Sequence, residues 1–264
     1  MPSFHELFPK RKPIIACIHL PALLGAPTYE GDMDSVYQQA IEEAMFFERK
    51  GVDALIVENF RDKPFYPNRV PPETIASLAA VGRELVKTVS IPVGINVLRN
   101  DAHAAMAIAT AVKAQFIRIN VHMSAVVSEQ GVIQGDSHHT LRLRHHLKSN
   151  VLIFADVGVK HAAPLAFRGL AIETKDLCDR GLVDAVIVSG DLTGAETSVS
   201  DLETVKQHSI VPVLIGSGVG PDNLPSLARA DGFIVGSYFK ENGHANNSID
   251  EKRVDKLLTS ASKL

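Results

Sequence analysis

The sequence has little of three features that mark whole classes of proteins: cysteine, an excess of one charge, and long apolar runs. Its two cysteines, Cys17 and Cys178, exclude a disulfide framework and a clustered-thiolate zinc site, and they fit a reducing compartment. The net charge is −3 and no run of Lys and Arg forms a basic stripe. Nucleic acid and anionic lipid surfaces are therefore not expected partners.

Signals for membranes and secretion are also missing from the sequence. Nowhere do about 18 uncharged apolar residues follow one another, as a membrane-spanning helix requires. Met1–Lys12 lacks the apolar core of a signal peptide and contains Glu6. We therefore expect a cytoplasmic protein without membrane insertion. A chain of 264 residues that is 45% hydrophobic predicts a single domain over residues 1–264.

The sequence does have a regular alternation of short apolar runs and longer amphipathic stretches. This order is typical of a parallel sheet covered by helices, and runs rich in Ile and Val suit strands that are buried on both faces. Eight such units favour a closed (β/α)₈ barrel over an open doubly wound sheet, although the same local pattern is compatible with both topologies. The predicted strands are Pro13–His19, Asp53–Glu58, Pro92–Val97, Phe116–Val121, Val151–Val157, Ala185–Ser189, Pro212–Ile215 and Gly232–Val235. The predicted helices are Met33–Lys50, Pro72–Val89, Asp101–Ala114, Ser137–Lys148, Thr174–Arg180, Ser200–Gln207, Asp222–Arg229 and Asp250–Ser262.

Nearly every predicted strand is apolar until its last residues and then ends in a group that can hydrogen-bond or ionise. Because the carboxyl ends of barrel strands converge on one mouth, these groups are expected to share one pocket. The alternative is that Asn, Asp and Ser serve there only as caps and turn formers, and that Arg99 pairs with a loop carboxylate. The predicted ligand-binding residues are His19, Asn59, Asn96, Arg99, Asn120, Ser189 and Thr193.

Glycine and serine follow the seventh and eighth predicted strands. Small residues let backbone N–H groups approach an anion, and these two loops, together with a helix amino terminus, form a recurrent phosphate site in such barrels. The alternative is that the glycines only make tight turns. The predicted phosphate-binding residues are Gly216, Ser217, Gly218, Gly236 and Ser237.

An acid, an amine and an imidazole lie close together after the fifth predicted strand, at Asp156, Lys160 and His161. Desolvation lowers a lysine pKa and raises an aspartate pKa, so such groups can exchange protons or form a Schiff base near neutral pH. With Glu58, we predict that Asp156 and Lys160 are catalytic. Surface exposure of Lys160 is the competing interpretation.

Two further features concern charge and metal binding. By strand alternation Arg118 shares a face with Asn120, so if Asn120 points inward, Arg118 must be buried and paired. The tandem histidines, His138-His139 and His145-His146, fit a solvated helix face better than a metal site. No metal ligands and no cofactor are predicted, and a divalent metal has no specific support.

These segments together resemble the BtpA/SgcQ family, whose members are grouped with the ribulose-phosphate-binding type of (β/α)₈ barrel. The first loop departs slightly from the family pattern, with Leu23-Leu24-Gly25 in place of Pro-Leu-Pro-Gly. The matching segments include Ile18–Pro21, Val57–Phe60, Gly94–Asp101, Phe116–Asn120, Asp156-Val157, Lys160-His161, Ser189-Gly190, Thr193-Gly194, Gly216–Val219 and Val235–Ser237. The resemblance implies a phosphate-binding barrel. Some members are linked with photosystem I biogenesis, and others resemble products of sugar-uptake operons.

Three functions remain open from the sequence. The first is an enzyme, an isomerase, lyase or hydrolase, that acts on a small phosphorylated sugar or nucleoside at the mouth of the barrel. The second is a non-catalytic assembly or stability factor, and the third is a sensor that binds a phosphorylated metabolite without turnover. A homo-oligomer is also expected, because symmetric dimers are common among such proteins.

Overall fold

The computed structural model describes residues 3–9, 12–159, 161–190 and 197–264. Eight parallel strands close into a barrel, in which the first strand pairs with the last: Ile14 lies opposite Phe233. The predicted (β/α)₈ barrel is therefore confirmed. The barrel strands are β1 (Ile14–His19), β2 (Ala54–Glu58), β3 (Val93–Asn96), β4 (Phe116–Ile119), β7 (Leu152–Val157), β9 (Ala185–Val188), β10 (Val213–Ile215) and β11 (Gly232–Val235).

Helices cover the outside of the barrel, and every barrel strand is buried along its whole length. This burial on both faces explains why the strands read as continuous apolar runs. Local signals set the helix ends: Asp101 caps the fourth helix by accepting from Ala104 N, and Gly51 ends the second in the left-handed conformation. The helices are α1 (Phe4–Leu7), α2 (Met33–Lys50), α3 (Pro72–Thr88), α4 (Ala102–Val112), α5 (Ser137–His146), α6 (Leu170–Asp179), α7 (Val199–His208) and α8 (Glu251–Ala261).

The helix expected over Asp222–Arg229 is wrong, because the structure has consecutive turns there. Pro225 disfavours the α conformation at the residue before it, Leu224, and so opposes a helix in this segment. Asn223 instead fixes a turn, since its Oδ1 accepts from Gly220 N at 2.9 Å and its Nδ2 donates to the Gly218 carbonyl at 2.7 Å. The loop after β10 therefore leads into turns and not into a helix.

The lower half of the barrel interior is apolar and aromatic. Phe116 and Phe154 stack inside it with ring centroids 4.7 Å apart. Phe4 of α1 and Phe8 pack against these two rings from below, with Phe4 at 5.7 Å from Phe154 and Phe8 at 6.3 Å from Phe116. Residues before β1 thus close the amino-terminal face of the barrel, an arrangement that the sequence did not predict.

A small antiparallel sheet stands beside the mouth, in the order β6-β5-β8. Its strands are β5 (Ala125–Ser128), β6 (Gly131–Gln134) and β8 (Ala162–Pro164). The first two form a hairpin in the connection after β4, and the third follows β7. The sequence predicted no strand in these segments. Within the described ranges, no helix has the length and apolar character that crossing a membrane demands.

Candidate functional site

The barrel interior changes from apolar to polar over two residues of β4 and of β7. Phe154 and Asp156 occupy successive inward positions on β7, and Phe116 and Arg118 do so on β4. Because side chains alternate along a strand, the upper layer of the interior is built from the residues that end the strands. The predicted convergence of polar groups at the mouth is therefore present.

A cavity of about 170 Å³ opens at this mouth. The predicted site residues that line it are His19, Glu58, Asn96, Arg99, Asn120, Gly216, Ser217, Gly218, Gly236 and Ser237. Asp156 and Ser189 lie beside it and line a neighbouring cavity, and Asn59 lines a third. Lys160 and Thr193 lie outside the described residues.

Arg118 and Asp156 form a buried bidentate ion pair under the mouth. Arg118 Nε donates to Asp156 Oδ2 at 3.0 Å and Nη2 donates to Oδ1 at 2.8 Å. Asn120 and Ser189 each donate one further bond to the same carboxylate, both at 3.1 Å. Asp156 thus accepts four hydrogen bonds, about as many as a carboxylate can. Its predicted catalytic role stays a prediction, but this geometry suits a positioning group better than a proton carrier.

Arg118 was missing from the predicted site residues, although strand alternation pointed to it. The structure confirms the conditional inference, since Asn120 faces inward and Arg118 is buried and paired. Burial by itself lowers the pKa of the Arg118 guanidinium, but the charge and hydrogen bonds of Asp156 outweigh burial and raise that pKa. Nη1 also lies 3.6 Å from Glu58 Oε1, so this one cation holds two carboxylates together.

Glu58 and His19 face each other across the first two strands. His19 Nε2 lies 3.8 Å from Glu58 Oε2, and both side chains are buried. His19 Nδ1 is 3.3 Å from the Ala245 carbonyl, which can only accept, so Nδ1 carries a proton and Nε2 is directed towards Glu58. Phe60 stacks on the imidazole with centroids 4.2 Å apart. The ring is thereby held in place beside a carboxylate.

The glycines after β10 and β11 are required where the backbone passes close to these groups. A Cβ on Gly216 would lie 2.6 Å from Ser189 Oγ and 3.3 Å from Arg118 Nη2. A Cβ on Gly236 would lie 2.9 Å from His19 Cε1. Both glycines are thus needed because the backbone passes close to neighbouring side chains, and the phosphate-binding role of these loops stays a prediction. Gly218, at φ +68°, also needs the left-handed conformation that glycine adopts without strain.

The two predicted phosphate loops are anchored differently. Ser217 Oγ accepts from Gly190 N at 2.8 Å, which ties the loop after β10 to the end of β9. Ser237 begins a short 3₁₀ helix, Ser237–Phe239, and not the α-helix that a standard phosphate site would offer. Lys240, directly after this turn, is fully buried and donates to both oxygens of Glu43 on α2 at 2.9 Å.

Arg99 lines the cavity from the loop after β3 and is itself buried. Burial lowers the pKa of its guanidinium, and the carboxylates of Asp156 and Glu129 oppose that change. An arginine keeps its proton throughout the working pH range, so Arg99 brings a positive charge to the cavity wall. Glu129, at the turn of the β5–β6 hairpin, lines the same cavity. Both interpretations of Arg99, ion pair and anion ligand, therefore remain compatible with its position.

The amides of Asn59 and Asn96 have contrasting surroundings. Asn59 Oδ1 accepts from Leu98 N at 2.7 Å, and its Nδ2 donates to Asp62 and to the Leu98 carbonyl, so the side chain is used in holding a loop. Asn96 Nδ2 donates to the Arg118 carbonyl and to Asn120 Oδ1. Its buried Oδ1 has no hydrogen-bond partner among the described residues, and the residue lines the cavity.

The histidines at the start of α5 lie outside this mouth. His138 and His139 come close to Asp136, with His139 Nδ1 2.7 Å from Asp136 Oδ1, and their potential ligand atoms lie within 4.8 Å of one another. Both imidazoles are exposed, and Arg69 Nη2 lies 4.0 Å from the same carboxylate. Their location on a solvated surface agrees with the preferred interpretation of the sequence.

The closed parallel barrel, with ionisable groups at the carboxyl ends of its strands, defines a (β/α)₈-barrel protein with one candidate site at the mouth. The chain belongs to the BtpA family, which it matches over residues 10–263. An uncharacterized protein of Thermococcus kodakarensis is 46% identical over 97% of both chains. The photosystem I biogenesis protein BtpA of Synechocystis is 42% identical over 96% of this chain and 89% of its own.

Solved structures show the same fold at low sequence identity. Thiamine phosphate pyrophosphorylase from Pyrococcus furiosus matches with a TM-score of 0.59 at 12% identity, over 96% of both chains. N-(5'-phosphoribosyl)anthranilate isomerase from Pyrococcus furiosus matches with a TM-score of 0.56 at 14% identity, over 96% of this chain and 100% of its own. These likenesses support the barrel architecture.

Proposed function

We propose that this protein is an enzyme that acts on a small phosphorylated sugar or nucleoside at the mouth of the barrel. The observation that carries the proposal is the single cavity of about 170 Å³ that joins Glu58 and His19 to the glycine loops after β10 and β11. Cavities for drug-sized ligands measure roughly 300–1,000 Å³, so this volume suits a small metabolite.

The phosphate is assigned to the side of the cavity formed by Gly216–Gly218 and Gly236-Ser237. Backbone N–H groups in glycine-containing loops can surround an anion because no side chain keeps it away. The Arg99 guanidinium lies on the cavity wall and complements a negative charge. The names of the two structural neighbours, each of which includes a phosphate group, agree with this assignment.

Proton transfer is assigned to Glu58 and His19. Their facing atoms are 3.8 Å apart, and both residues line the cavity, so each can reach a bound molecule. Asp156 holds Arg118 in place, and Arg118 in turn lies beside Glu58. Lys160, the third residue predicted to be catalytic, stays a candidate on its sequence position alone. Isomerase, lyase and hydrolase chemistry each need such proton carriers.

The first experiment measures the thermal midpoint of the protein with inorganic phosphate and a panel of sugar and nucleoside phosphates. A ligand that binds the native state raises the midpoint. Ser237→Asp adds a negative charge at the assigned phosphate site and is expected to remove the shift. Ser248→Asp adds the same charge in an exposed loop and should keep it. A panel that gives no shift would overturn the proposal.

Turnover is then tested by following each binding compound by ³¹P NMR with protein present. Glu58→Gln keeps the shape of the side chain but cannot carry a proton as a carboxylate does, so turnover is expected to fall about 10²–10⁴-fold. The thermal shift with the same compound should persist. Equal turnover in the wild type and Glu58→Gln would show that Glu58 is not the proton carrier.

A second candidate is a non-catalytic assembly factor, which the name of the Synechocystis relative favours. A sensor of a phosphorylated metabolite is the third, because it needs the anion site but no proton carrier. Binding without turnover in the wild type would favour the sensor, and absence of binding would favour the assembly factor. Self-association, which each of the three allows, stays a prediction.

A further inference from the structure

A second and larger cavity, of about 280 Å³, lies next to the mouth. It is enclosed by the ends of β4, β7 and β9 on one side and by the small β6-β5-β8 sheet and the chain leading to α6 on the other. Of the described residues, Asn120 alone lines both cavities. Arg118 lines the mouth cavity and its partner Asp156 lines the second cavity, so the buried ion pair lies between the two.

The walls of this cavity differ in chemistry from those of the mouth. Most are apolar, and they include Met123, Val126, Val159, Phe167 and Leu170. No lysine, arginine or histidine lines the cavity among the described residues. Acidic residues do line it, so a phosphate would meet negative charge there and no cation among these described residues.

The polar atoms at the base of the cavity are already occupied. Ser189 Oγ and Asn120 Nδ2 both donate to the Asp156 carboxylate, and Arg118 supplies its other two bonds. Glu173, on the rim, accepts from Ser124 Oγ at 2.9 Å and from Arg168 Nε at 3.1 Å. A ligand is therefore bound here mainly by apolar contact, which selects against charged groups.

Phe167 supplies an aromatic face at the rim. It is 63% exposed, although it lines the cavity, so much of its ring is available to a ligand. Stacking on an aromatic ring favours a planar partner. The size agrees, because a cavity of about 150 Å³ holds one benzene molecule. Roughly twice that volume accommodates a two-ring system.

We propose that this second cavity binds an uncharged, planar ring system, and that with the mouth cavity it forms a two-part site. The ligand then carries its phosphate at the glycine loops and its ring under the small sheet, with Asn120 between them. The ring site stands on its own geometry, whereas the two-part ligand also depends on the proposed function.

The chain has no tryptophan, so a single introduced tryptophan reports on its own surroundings. The probe is benzimidazole at pH 8, where it is an uncharged two-ring heterocycle. Phe167→Trp is expected to show a saturable change in emission as benzimidazole is added. Leu165→Trp lies two residues away at a site that is equally exposed but does not line the cavity, and it should show none. Equal or non-saturating changes in both variants would overturn the proposal.

Thermal midpoints measured on tryptophan-free protein give an independent test. Benzimidazole is expected to raise the thermal midpoint of the wild type and of Leu165→Ala. The rise in the midpoint of Phe167→Ala should be at least several-fold smaller. Inorganic phosphate, added separately, should shift all three proteins equally. A ring-induced shift, with no shift from inorganic phosphate or from any sugar or nucleoside phosphate, leaves the ring site standing but removes the proposed function. A shift with phosphate but none with benzimidazole overturns the ring site and leaves the proposed function standing.

Discussion

The two ends of the barrel interior are built from the same strands and yet have opposite chemistry. At the amino-terminal end, Phe4, Phe8, Phe116 and Phe154 pack ring against ring and shut out water. At the carboxyl end, the next inward positions hold ionisable groups around an open cavity. The contrast teaches that stability and candidate chemistry are separated by only two residues, about 7 Å, along β4 and β7.

The largest effect is expected from Phe154→Ala, at the aromatic end. Removing this fully buried ring leaves a cavity beneath Asp156 and should lower the free energy of unfolding by about 3–5 kcal/mol, as measured by urea denaturation. Phe167→Ala removes the same side chain from an exposed position and should cost about 0.5 kcal/mol or less. Equal losses in the free energy of unfolding for the two variants would show that the aromatic packing at the amino-terminal end does not stabilise the barrel.

Arg118→Met should have the next largest effect, because it leaves Asp156 and Glu58 buried without their shared cation. Such a loss typically costs about 3 kcal/mol or somewhat more. Urea denaturation of the wild type and the variant at pH 7 measures this cost.

The matched control for Arg118→Met is Arg144→Met, which breaks an ion pair outside the barrel interior. Its partner, Asp184, is partly exposed and can be rehydrated, so the cost should be smaller. Equal losses in the free energy of unfolding for the two variants would contradict the inference that the carboxylates at the mouth depend on a buried cation.

Gly236→Ala should have an intermediate effect that falls mainly on ligand binding. The added methyl would meet His19 at 2.9 Å, so either the imidazole or the loop after β11 must shift, at a cost of about 1–3 kcal/mol. The thermal shift produced by inorganic phosphate should fall as well. Gly220→Ala, where the nearest atom is 3.4 Å away, provides the control and should leave that shift unchanged.

The smallest effect concerns His122, which is buried just beyond β4 and whose Nε2 lies 2.8 Å from the Gly181 carbonyl. Burial lowers its pKa below 6.5, although that hydrogen bond opposes the change. The neutral form is thus favoured by folding, so the stabilisation is complete above pH 6.5 and is lost as the pH falls towards the lowered pKa.

Comparing wild type with His122→Gln, which has no titrating ring, isolates this dependence. Between about pH 6.5 and 5 the wild type should lose stability relative to the variant, by at most about 1.4 kcal/mol per pH unit, the slope for one proton. Parallel stability curves over this range would show that His122 does not titrate differently in the folded protein.

Much of the barrel could be predicted because its signals are local. Apolar runs bounded by caps predicted the barrel strands to within two residues, as for the run predicted at Pro92–Val97 and observed as Val93–Asn96. The helix predicted over Asp222–Arg229 is wrong because the amphipathic pattern of this segment hid the effect of Pro225, which disfavours the α conformation at Leu224. The small sheet was missed because its strands have three or four residues and one comes from a distant connection.

The candidate site was predictable as a place but not as a set of contacts. Strand ends identified Glu58 and His19, because parallel strands bring their carboxyl ends to one mouth. No local pattern shows that Asp156 is saturated by Arg118, Asn120 and Ser189, since these partners come from the ends of β4 and β9, which lie on either side of β7 only in the folded barrel. Arg118 could have been chosen from its alternation with Asn120 alone.

Closure of the barrel also affects self-aggregation, since pairing of β1 with β11 leaves no barrel strand with an open edge. Open edges in the described chain belong instead to the small sheet, at β6 and β8. An edge strand can template pairing with another chain, but β8 has only three residues and ends in Pro164, which has no N–H to donate. The small sheet thus encloses the candidate ring-binding cavity beside the mouth, and its strand β8 offers no extended edge for pairing with another chain.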